Sequence, residues 1–573
     1  MIASNQRRRL LAGVLAAVIA LALALPAGLA SAAPQPDKRP DKARGPKPVE
    51  VQVLAVNDFH GNLEPATLNT SGTPSGGAEY LASHIDSLRA TNPKNTVVVS
   101  AGDLVGASPL LSALFHDEPT IEAMNALGLD INAVGNHEFD EGAEELLRMQ
   151  EGGCHPVDGC IAKPTFDGAD FEFLAANVRW EDTGETIFPS YTVKRFEAGT
   201  RIAFIGMTLE GTPTIVTPEG VAGLQFDDEA DTVNNLIDEL RAQRIHNIVV
   251  LVHEGGFAGG GINGCSNVSG PIVDIVNRLD AEVDAVISGH THAAYNCVIN
   301  DIPVTSASSF GRLVTDMDID IDRATKRISS IAVDNKIVTR DVEPASYITD
   351  ILDLYRPFYA PLASRIIGFI TTASISRGAP AAGESPLGNF IADSQLFATT
   401  PPALGGAQVA FMNPGGIRAD LVALPGGGIT YEAAFTVQPF GNSLVTMDLT
   451  GTQIDRLLEE QFCGGNAGGF RILQVSDGFS YTWDSTRTGA ADCATADAVT
   501  FSSITLNDAP LMAGETYRVT VNSFLATGGD NFAVLNQGTN RLGGAVDLDA
   551  VEAYFAAQAG PVAPPPLGRI NRS

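Results

Sequence analysis

Short apolar runs rich in β-branched residues alternate with helical patterns over residues 49–342. The runs have the length of buried strands, whereas Ala78–Arg89 and 230–243 carry apolar residues at helical spacing. Strands that alternate with helices are typical of a layered α/β domain. We therefore expect residues 49–342 to form one such domain.

The pattern changes over residues 343–367, where helical spacing predicts an amphipathic connector helix. Residues 368–573 then contain Gly-Pro turns, a strand pattern at 517–522 and a helical pattern at 452–461. This mixture predicts a separate α+β domain. Two folded domains also suit a chain of 573 residues.

The first 32 residues have the pattern of a secretory signal peptide. A basic segment at 7–9 precedes an apolar stretch at 10–25, and residues 30–32 offer a small-residue cleavage site. The alternative is a membrane anchor, which the alanine-rich composition disfavours; the adjacent arginines leave a twin-arginine route open. Residues 33–48 are rich in proline, lysine and aspartate and predict a disordered spacer. We expect a secreted, extracellular protein without a stable membrane anchor after cleavage.

The formal net charge of the chain is −31 at pH 7. Such acidity keeps an exported protein in solution and repels polyanions, which disfavours a nucleic-acid polymer as partner. A small anionic substrate remains compatible with this charge, because bound divalent cations reverse the field locally.

Six cysteines in an exported protein indicate disulfides. Because the chain has no C-x-x-C spacing, a structural zinc site is the poorer interpretation. Sequence order proposes three local pairs that staple loops, Cys154–Cys160, Cys265–Cys297 and Cys463–Cys493.

Five apolar runs of the first domain each end in residues that can bind a metal, followed by glycine or a tight turn. In sheets of this class the sites lie at the carboxyl ends of strands, where loops converge. Five strand ends could therefore bring Asp, His and Asn side chains into one compact site. The segments are Asn57-Asp58-Phe59-His60-Gly61, Ser100-Ala101-Gly102-Asp103, Gly135-Asn136-His137-Glu138-Phe139-Asp140, His253-Glu254-Gly255-Gly256 and Ser288-Gly289-His290-Thr291-His292.

Each segment alone has an ordinary structural explanation. Asp58 could cap a turn, and His253 could be a buried imidazole with a satisfied hydrogen bond. The spacing of His290 and His292 is stronger evidence, since alternate strand-end residues point the same way and can share a metal. Together, in order and each at a strand end, the segments favour a metal site.

Carboxylates and imidazoles are ligands of borderline divalent ions such as zinc, manganese or cobalt. One aspartate can bridge two such ions about 4 Å apart, and the pair then activates water and neutralises phosphoryl oxygens. The residues therefore predict two divalent metal ions and hydrolysis of a phosphate ester. All nine histidines lie at or before His292, which assigns the metals to the first domain.

The ordered segments resemble the calcineurin-like metallophosphoesterases. The string at 135–140 and the second domain narrow this resemblance to the secreted 5′-nucleotidase family, over nearly all of residues 49–532. The resemblance implies a layered α-β-β-α metallophosphoesterase domain, a connector helix that acts as a hinge, and a C-terminal α+β domain that binds substrate. It also implies a large rotation of the domains about the connector.

The resemblance further implies two ligand sets. One metal is held by Asp58, His60, Asp103 and His292, and the other by Asp103 as the bridge, Asn136, His253 and His290. His137 is the implied catalytic residue that contacts the phosphate or the leaving group, and Asp140 orients it. Glu138, between them, is expected to be structural.

Motifs of the second domain match substrate-binding motifs of the family. The string at 413–418 resembles its Asn-Gly-Gly-Gly-Ile-Arg loop, with Pro414 in place of a glycine. Two phenylalanines would stack on the base, although each alone could be a core residue. The arginine would pair with phosphate or a ring acceptor, and an aspartate would accept from ribose hydroxyls. The implied substrate-binding residues are Asn413, Arg418, Phe440, Asn442, Phe524 and Asp530.

The expected function is hydrolysis of nucleoside 5′-monophosphates to nucleoside and phosphate, with a small nucleotide bridging the two domains. The alternatives are a 2′,3′-cyclic-nucleotide 2′-phosphodiesterase/3′-nucleotidase, a UDP-sugar hydrolase, and a secreted binding protein with a relic site. The complete ligand set argues against the last of these. Arg377 is a further arginine that could reach the substrate.

Overall fold

The computed structural model describes residues 47–65, 69–380 and 382–573. The predicted signal peptide lies outside these residues, as does nearly all of the predicted spacer. Among the described residues, none of the helices combines the length and the apolarity that a bilayer crossing needs.

The apolar runs of the first domain form two six-stranded sheets whose central strands are parallel. The first sheet has the order Ile328–Ile337, Leu313–Ile321, Val49–Val56, Thr96–Ser100, Ile131–Ala133 and Glu172–Leu174. The second has the order Ala294–Ile299, Ile302–Ala307, Ala285–Ser288, Ile248–His253, Arg201–Thr208 and Tyr191–Arg195. Short two-stranded ribbons flank them: Asn69–Thr70 with Thr73–Pro74, Val178–Trp180 with Leu224–Phe226, and Phe257–Gly259 with Ser266–Ser269.

The two sheets pack face to face, because their strands are apolar on both sides. Val53 and Val99 of the first sheet share one buried core with Phe204 and Leu251 of the second. A second core joins the outer face of the first sheet to helices Ala78–Arg89, Leu110–Ala113, Glu118–Leu127 and Ala143–Glu151. A third joins the second sheet to helices Glu229–Ala242 and Pro271–Arg278. The predicted α-β-β-α layering is confirmed.

Helix Ser346–Ala363 lies within the predicted connector. Its apolar face, including Leu352, is buried in the core that also holds the helices on the first sheet. The Tyr359 hydroxyl donates a hydrogen bond to the Glu64 carboxylate at 2.7 Å. This helix is therefore fixed to the first domain.

The C-terminal part has the mixed architecture that its sequence predicts. Its main sheet has the order Gln474–Val475, Val409–Met412, Thr516–Asn522, Ser443–Thr450 and Thr539–Val546. A second sheet has the order Ala509–Pro510, Thr505–Leu506, Phe479–Trp483 and Ile570–Arg572. Two ribbons pair Ile366–Phe369 with Gly428–Thr430 and Ser374–Ile375 with Leu421–Val422. The helices are Pro386–Thr399, Tyr431–Val437, Gly451–Glu459, Ser523–Ala526 and Asp547–Ala557. The predicted α+β class is confirmed.

Local chemistry explains where the predicted elements begin. The helix predicted at 452–461 begins at Gly451, because Thr450 and Gln453 form a capping box before it. The cysteine pairs proposed from sequence order are all formed as disulfides.

Candidate active site

Five strand ends from the two sheets meet at one edge of the sandwich, and the loops that follow them are tied together by backbone hydrogen bonds. Asp58 N donates to Gly102 O and His60 N donates to Asp103 O, both at 2.9 Å. The sequence-predicted metal ligands all lie in these loops. Asp58, His60, Asp103, Asn136 and His253 are buried, and His290 and His292 are partly buried.

The structure brings the ligand atoms of the first set together. Those of Asp58, His60 and His292 lie within 4.8 Å of one another. His292 Nε2 lies 3.1 Å from His60 Nε2 and 3.3 Å from Asp58 Oδ1. Three donors of this kind at this spacing suit one divalent cation.

A second group lies beside the first. The ligand atoms of Asp103, His253 and His290 also lie within 4.8 Å of one another, and His290 Nδ1 is 3.0 Å from Asn136 Oδ1. Asp103 Oδ2 is 2.9 Å from His253 Nε2 and 3.5 Å from His60 Nε2. Asp103 therefore lies between the two groups, at the position expected of a bridge.

Hydrogen bonds orient two of the imidazoles toward Asp103. His60 Nδ1 donates to Gly106 O at 2.9 Å, and His253 Nδ1 donates to Ala101 O at 2.7 Å. The second nitrogen of each ring is thereby turned toward the ligand cluster. Within the described part of the chain, Asp58 Oδ1 and His253 Nε2 are buried without a hydrogen-bond partner, although each lies close to another ligand atom. Orphaned buried atoms of this kind fit a cation held between them.

The buried ionisable side chains at this edge of the sandwich shift one another's pKa values. Burial raises the pKa of Asp103, but the neighbouring His253 lowers it further, so that the carboxyl stays ionised well below its ordinary pKa. Burial lowers the pKa of His253, but the Asp103 carboxylate raises it to about 10. The buried carboxylate thus requires positive charge beside it, which a proton on His253 or bound cations supply.

Most of the ligands stand on left-handed backbone. The residues with positive φ include Asp58 (50°), His60 (48°), Asp103 (52°), His290 (68°) and His292 (53°). Each such conformation costs about 1–3 kcal/mol and persists only where surrounding contacts fix it. Gly102, at φ +89°, packs so closely that a Cβ would lie 2.5 Å from His253 Nδ1.

Glu138 holds two of these loops in place. One carboxylate oxygen accepts from Asp103 N at 2.9 Å and Gly135 N at 2.7 Å. The other accepts from Leu104 N at 2.9 Å and from Asn132 Nδ2 at 3.2 Å. All four groups donate, which suits an ionised carboxylate, while burial and the charge of Asp103 raise the pKa of Glu138 to about 7. The role of Glu138 in the structure is to position loops.

His137 lies directly beside the ligand cluster. Its backbone N–H donates to Asp103 Oδ1 at 2.9 Å, and its Nδ1 donates to Asp140 Oδ2 at 2.8 Å. Its ring centroid is 5.0 Å from that of His60. Burial lowers the pKa of His137, but the charges of Asp140 and Asp103 and the hydrogen bond to Asp140 together raise the pKa overall.

A cavity of about 260 Å³ separates this cluster from loops of the second domain. Asn136, His137 and His290 line one side of it. The other side carries all the substrate-binding residues implied by the sequence, Asn413, Arg418, Phe440, Asn442, Phe524 and Asp530.

Phe440 is the contact between the two sides. Its ring stacks on His137 with centroids 5.8 Å apart and planes inclined by 20°. The Arg418 guanidinium lies 5.6 Å from the centroid of the Phe440 ring. Burial lowers the pKa of Arg418, and the carboxylates of Asp140 and Asp103 act in the opposite direction. Arg418 is therefore a half-buried cation on the cavity wall that faces the ligand cluster.

Polar residues complete the second side. Asn413 Nδ2 donates to Asp530 Oδ2 at 2.8 Å, and Asn442 Oδ1 accepts from the hydroxyl of Ser523 at 2.9 Å. Arg471, which sequence reasoning missed, lines the cavity and pairs with Asp530 Oδ1 at 3.0 Å.

Arg377 has a different position from the one considered in the sequence. Its guanidinium donates to the carbonyls of Ile417 and Arg418, both at 2.7 Å. It holds the backbone of the Arg418 loop. Arg377 thus supports a cavity residue through that residue's main chain.

Comparison with known families agrees with this geometry. Residues 51–294 match the calcineurin-like phosphoesterase family, and residues 366–537 match the 5′-nucleotidase C-terminal domain. The chain belongs to the 5′-nucleotidase family. The resemblance inferred from the motifs is confirmed.

Two relatives of this member of the 5′-nucleotidase family are longer than the part that matches this chain. The chain is 32% identical over 532 residues to endonuclease YhcR of Bacillus subtilis, covering 91% of this chain and 41% of that one. It is 34% identical over 522 residues to cell wall protein Lmo0130 of Listeria monocytogenes, covering 85% and 64%. The chain thus spans about two fifths of the first relative and just under two thirds of the second.

A solved structure matches the chain over almost its whole length. The crystal structure of a 5′-nucleotidase precursor from Thermus thermophilus has 28% sequence identity and a TM-score of 0.73. The match covers 91% of this chain and 99% of that one. The two-domain fold of this family is therefore present in full.

We predict that E138Q destabilises the site. The amide would turn an NH₂ group toward two donors and leave them without acceptors, at a cost of roughly 1–3 kcal/mol each. The free energy of unfolding should fall, and so should the metal content at limiting metal concentration. Chemical denaturation and elemental analysis measure both.

The matched control is E144Q, because Glu144 is exposed in the first turn of the following helix. It should leave both quantities unchanged. Equal stability and metal content in the two variants would reject the loop-positioning role of Glu138.

Proposed function

We propose that this protein hydrolyses phosphate monoesters of nucleosides, chiefly nucleoside 5′-monophosphates, with the help of two divalent cations. The observation that carries the proposal is the shared cavity, with the metal-ligand cluster and His137 on one side and Phe440 and Phe524 on the other. Such a cavity suits a ligand with an anionic end and an aromatic end. Family membership supports the same reaction class.

The ligand cluster fits the cations that the family implies. Asp58, His60, Asp103 and His292 would hold one, and Asp103, Asn136, His253 and His290 the other. The buried Asp58 Oδ1 and His253 Nε2 support this fit, since both lack a hydrogen-bond partner in the described structure. When bound, the pair supplies water activation and neutralises phosphoryl oxygens. The donor set suits zinc, manganese or cobalt.

His137 and Asp140 are proposed to act on the reacting phosphate. The Asp140 carboxylate accepts the Nδ1 proton, which fixes the tautomer and directs Nε2 away from Asp140. The raised pKa of His137 favours an N–H that donates to phosphate or to the leaving oxygen. Its backbone bond to Asp103 keeps the ring next to the metal ligands.

Arg418 is proposed to bind the anion. Its guanidinium lies over the Phe440 ring, half-buried, and interacts with the charges of Asp140 and Asp103. In the cavity it would donate paired hydrogen bonds to phosphate oxygens. A cation at this position also offsets the acidity of the whole chain.

Phe440 and Phe524 are proposed to stack on the base, and Asp530 to accept from the ribose hydroxyls. Asp530 is held for this by Asn413 and Arg471. A cavity of about 260 Å³ and a charge of −31 favour a small nucleotide over a nucleic-acid polymer. One relative is called an endonuclease, so diester substrates are included in the test below.

We also propose that the protein acts outside the cytoplasm. Its three disulfides are typical of proteins in an oxidising compartment, which supports this proposal. A relative is called a cell wall protein, which agrees with export.

We predict that H137A lowers kcat by at least about 100-fold, because a group positioned at the reacting phosphate is removed. The metal content should stay unchanged, since His137 belongs to neither proposed ligand set. Phosphate release and elemental analysis test the two effects.

H84A is the control, because His84 bonds to Thr339 O away from the cavity. It should retain the parent turnover. Normal turnover by H137A would contradict the role assigned to His137.

A substrate panel with defined metals tests the substrate class. We expect AMP to be hydrolysed with a higher kcat/KM than UDP-glucose, 2′,3′-cyclic AMP or glycerol phosphate. Removal of metal by a chelator should abolish turnover, and re-addition should restore it. A preference for UDP-glucose or the cyclic diester would replace the proposed substrate with the corresponding alternative.

F524A tests base stacking within that panel. Loss of a stacking ring costs about 1–3 kcal/mol, so KM for AMP should rise about 5- to 150-fold. Turnover of glycerol phosphate, which has no ring, should not change. F397A removes an exposed aromatic ring outside the cavity and should affect neither substrate. Equal effects of F524A on both substrates would reject stacking.

A further inference from the structure

A second group of histidines and carboxylates lies at the rim of the cavity, away from the metal ligands described above. His116 and Glu141 line the cavity wall, and His155 and Asp158 come from a neighbouring loop. The ligand atoms of His116, His155 and Asp158 lie within 4.8 Å of one another. None of these residues belongs to the proposed catalytic machinery.

The distances in this rim cluster suit a metal ion. His116 Nε2 is 3.0 Å from Asp158 Oδ2, and that oxygen is 3.5 Å from His155 Nδ1. Ligands about 2 Å from a tetrahedral zinc ion are separated from each other by similar distances. The imidazoles of His116 and His155 stack with centroids 3.6 Å apart and planes inclined by 15°. The two donors are therefore close together, and one ring must tilt out of the stack for both lone pairs to reach the same ion.

The rim cluster includes an orienting carboxylate. Glu141 Oε2 accepts from His116 Nδ1 at 2.6 Å, which leaves Nε2 as the nitrogen that faces Asp158. A carboxylate behind a histidine is the usual support of a metal-binding imidazole. His155 Nδ1 accepts the N–H of Asp158 at 3.1 Å, so this nitrogen carries no proton. A metal ion bound there would take over the lone pair that this N–H now uses.

The carboxylates around His116 favour positive charge in the rim cluster. Burial lowers the pKa of His116, but the hydrogen bond to Glu141 and the charges around it raise the value to about 9. Two stacked imidazolium rings would repel each other, so the rings cannot both hold a proton without cost. One divalent ion between His116, His155 and Asp158 balances the carboxylates without that repulsion.

The loop that supplies two of the donors is closed covalently. The disulfide Cys154–Cys160 encloses His155 and Asp158. Gly159 N also donates to His155 O at 2.9 Å. A short closed loop loses little entropy when its side chains bind an ion.

We propose that His116, His155 and Asp158 form a third metal site, which takes a borderline divalent cation such as Zn²⁺. Glu141 is its positioning residue, and the ion replaces the proton shared by His116 and Asp158. Imidazole and carboxylate donors together suit this class of ion. Glu145 is not needed as a ligand, because its carboxylate is bound by Arg148 at 2.6 Å.

The rim site is connected to the catalytic cluster through the cavity wall. Asp117, which follows His116, accepts from Gly106 N at 3.0 Å. The carbonyl of Gly106 accepts from His60 Nδ1. A bound ion would therefore stiffen a wall that supports a metal ligand of the active site.

The test counts zinc ions in the full-length protein. Wild type, H155A and D158N are stripped with a chelator, dialysed against the same buffered free Zn²⁺, and analysed by mass spectrometry of the elements. We expect wild type to hold one more zinc per chain than either variant. E141Q should still bind this ion, with affinity lower by about 10- to 100-fold.

H246A is the matched control, since His246 is also a partly buried histidine paired with a carboxylate, Glu282. It should hold as much zinc as wild type. Equal zinc in wild type, H155A and D158N would overturn the proposal. If H246A lost as much zinc as H155A and D158N, the proposal would also be overturned, because the loss would indicate adventitious surface binding. Circular dichroism checks that each variant is folded before its zinc content is measured.

The difference in zinc content between wild type and the two variants does not depend on the proposed function. A failure of the catalytic metal centre would lower the zinc content of wild type and both variants equally and leave their difference at one. A failure of the rim site would remove the difference and leave hydrolysis of AMP intact.

Discussion

The buried carboxylate of Asp103 is the group on which the rest of the site depends. It is removed from water, and an isolated charge there would cost several kcal/mol. Its oxygens are instead surrounded by His253 Nε2, His60 Nε2 and the backbone N–H of His137. The ligands and the proposed catalytic histidine are thus arranged around one charge, and displacement of that charge would disturb all of them.

The sandwich supplies the rigidity that this arrangement needs. Parallel strands from two sheets end at the same edge, and their turns run in left-handed conformations that cost free energy. Glu138 compensates part of this cost through its hydrogen bonds to Asp103 N, Leu104 N and Gly135 N. These bonds connect the loops that follow two neighbouring strands of the first sheet, so the positions of the two loops depend on each other.

The sequence predicted most of the fold because its signals are local. Apolar runs followed by Asp, His or Asn mark strand ends, and the topology of parallel sheets then brings those ends together. The connector and the helix at 452–461 were predictable from helical spacing for the same reason. The domain limits and the assignment of each site residue remain predictions, although the geometry agrees with them.

What the sequence did not predict depends on contacts between distant segments. The pairing of Arg471 with Asp530, and the bonds from Arg377 to the Arg418 loop, involve side chains with no motif around them. The meeting of His116 with His155 depends on how the Cys154–Cys160 loop packs against the cavity wall. A single charged side chain in a loop carries no sequence signal of its partner, so only the fold reveals these pairs.

The stacking of Phe440 on His137 constrains how a nucleotide can bind. With 5.8 Å between their centroids, the two rings are already in contact, and a base cannot lie between them without their separation. If the base stacks on Phe440 as proposed, it uses a part of the ring that neither His137 nor Arg418 covers, and the phosphate lies on the His137 side. Phe440 would then divide the cavity into a phosphate half and a base half.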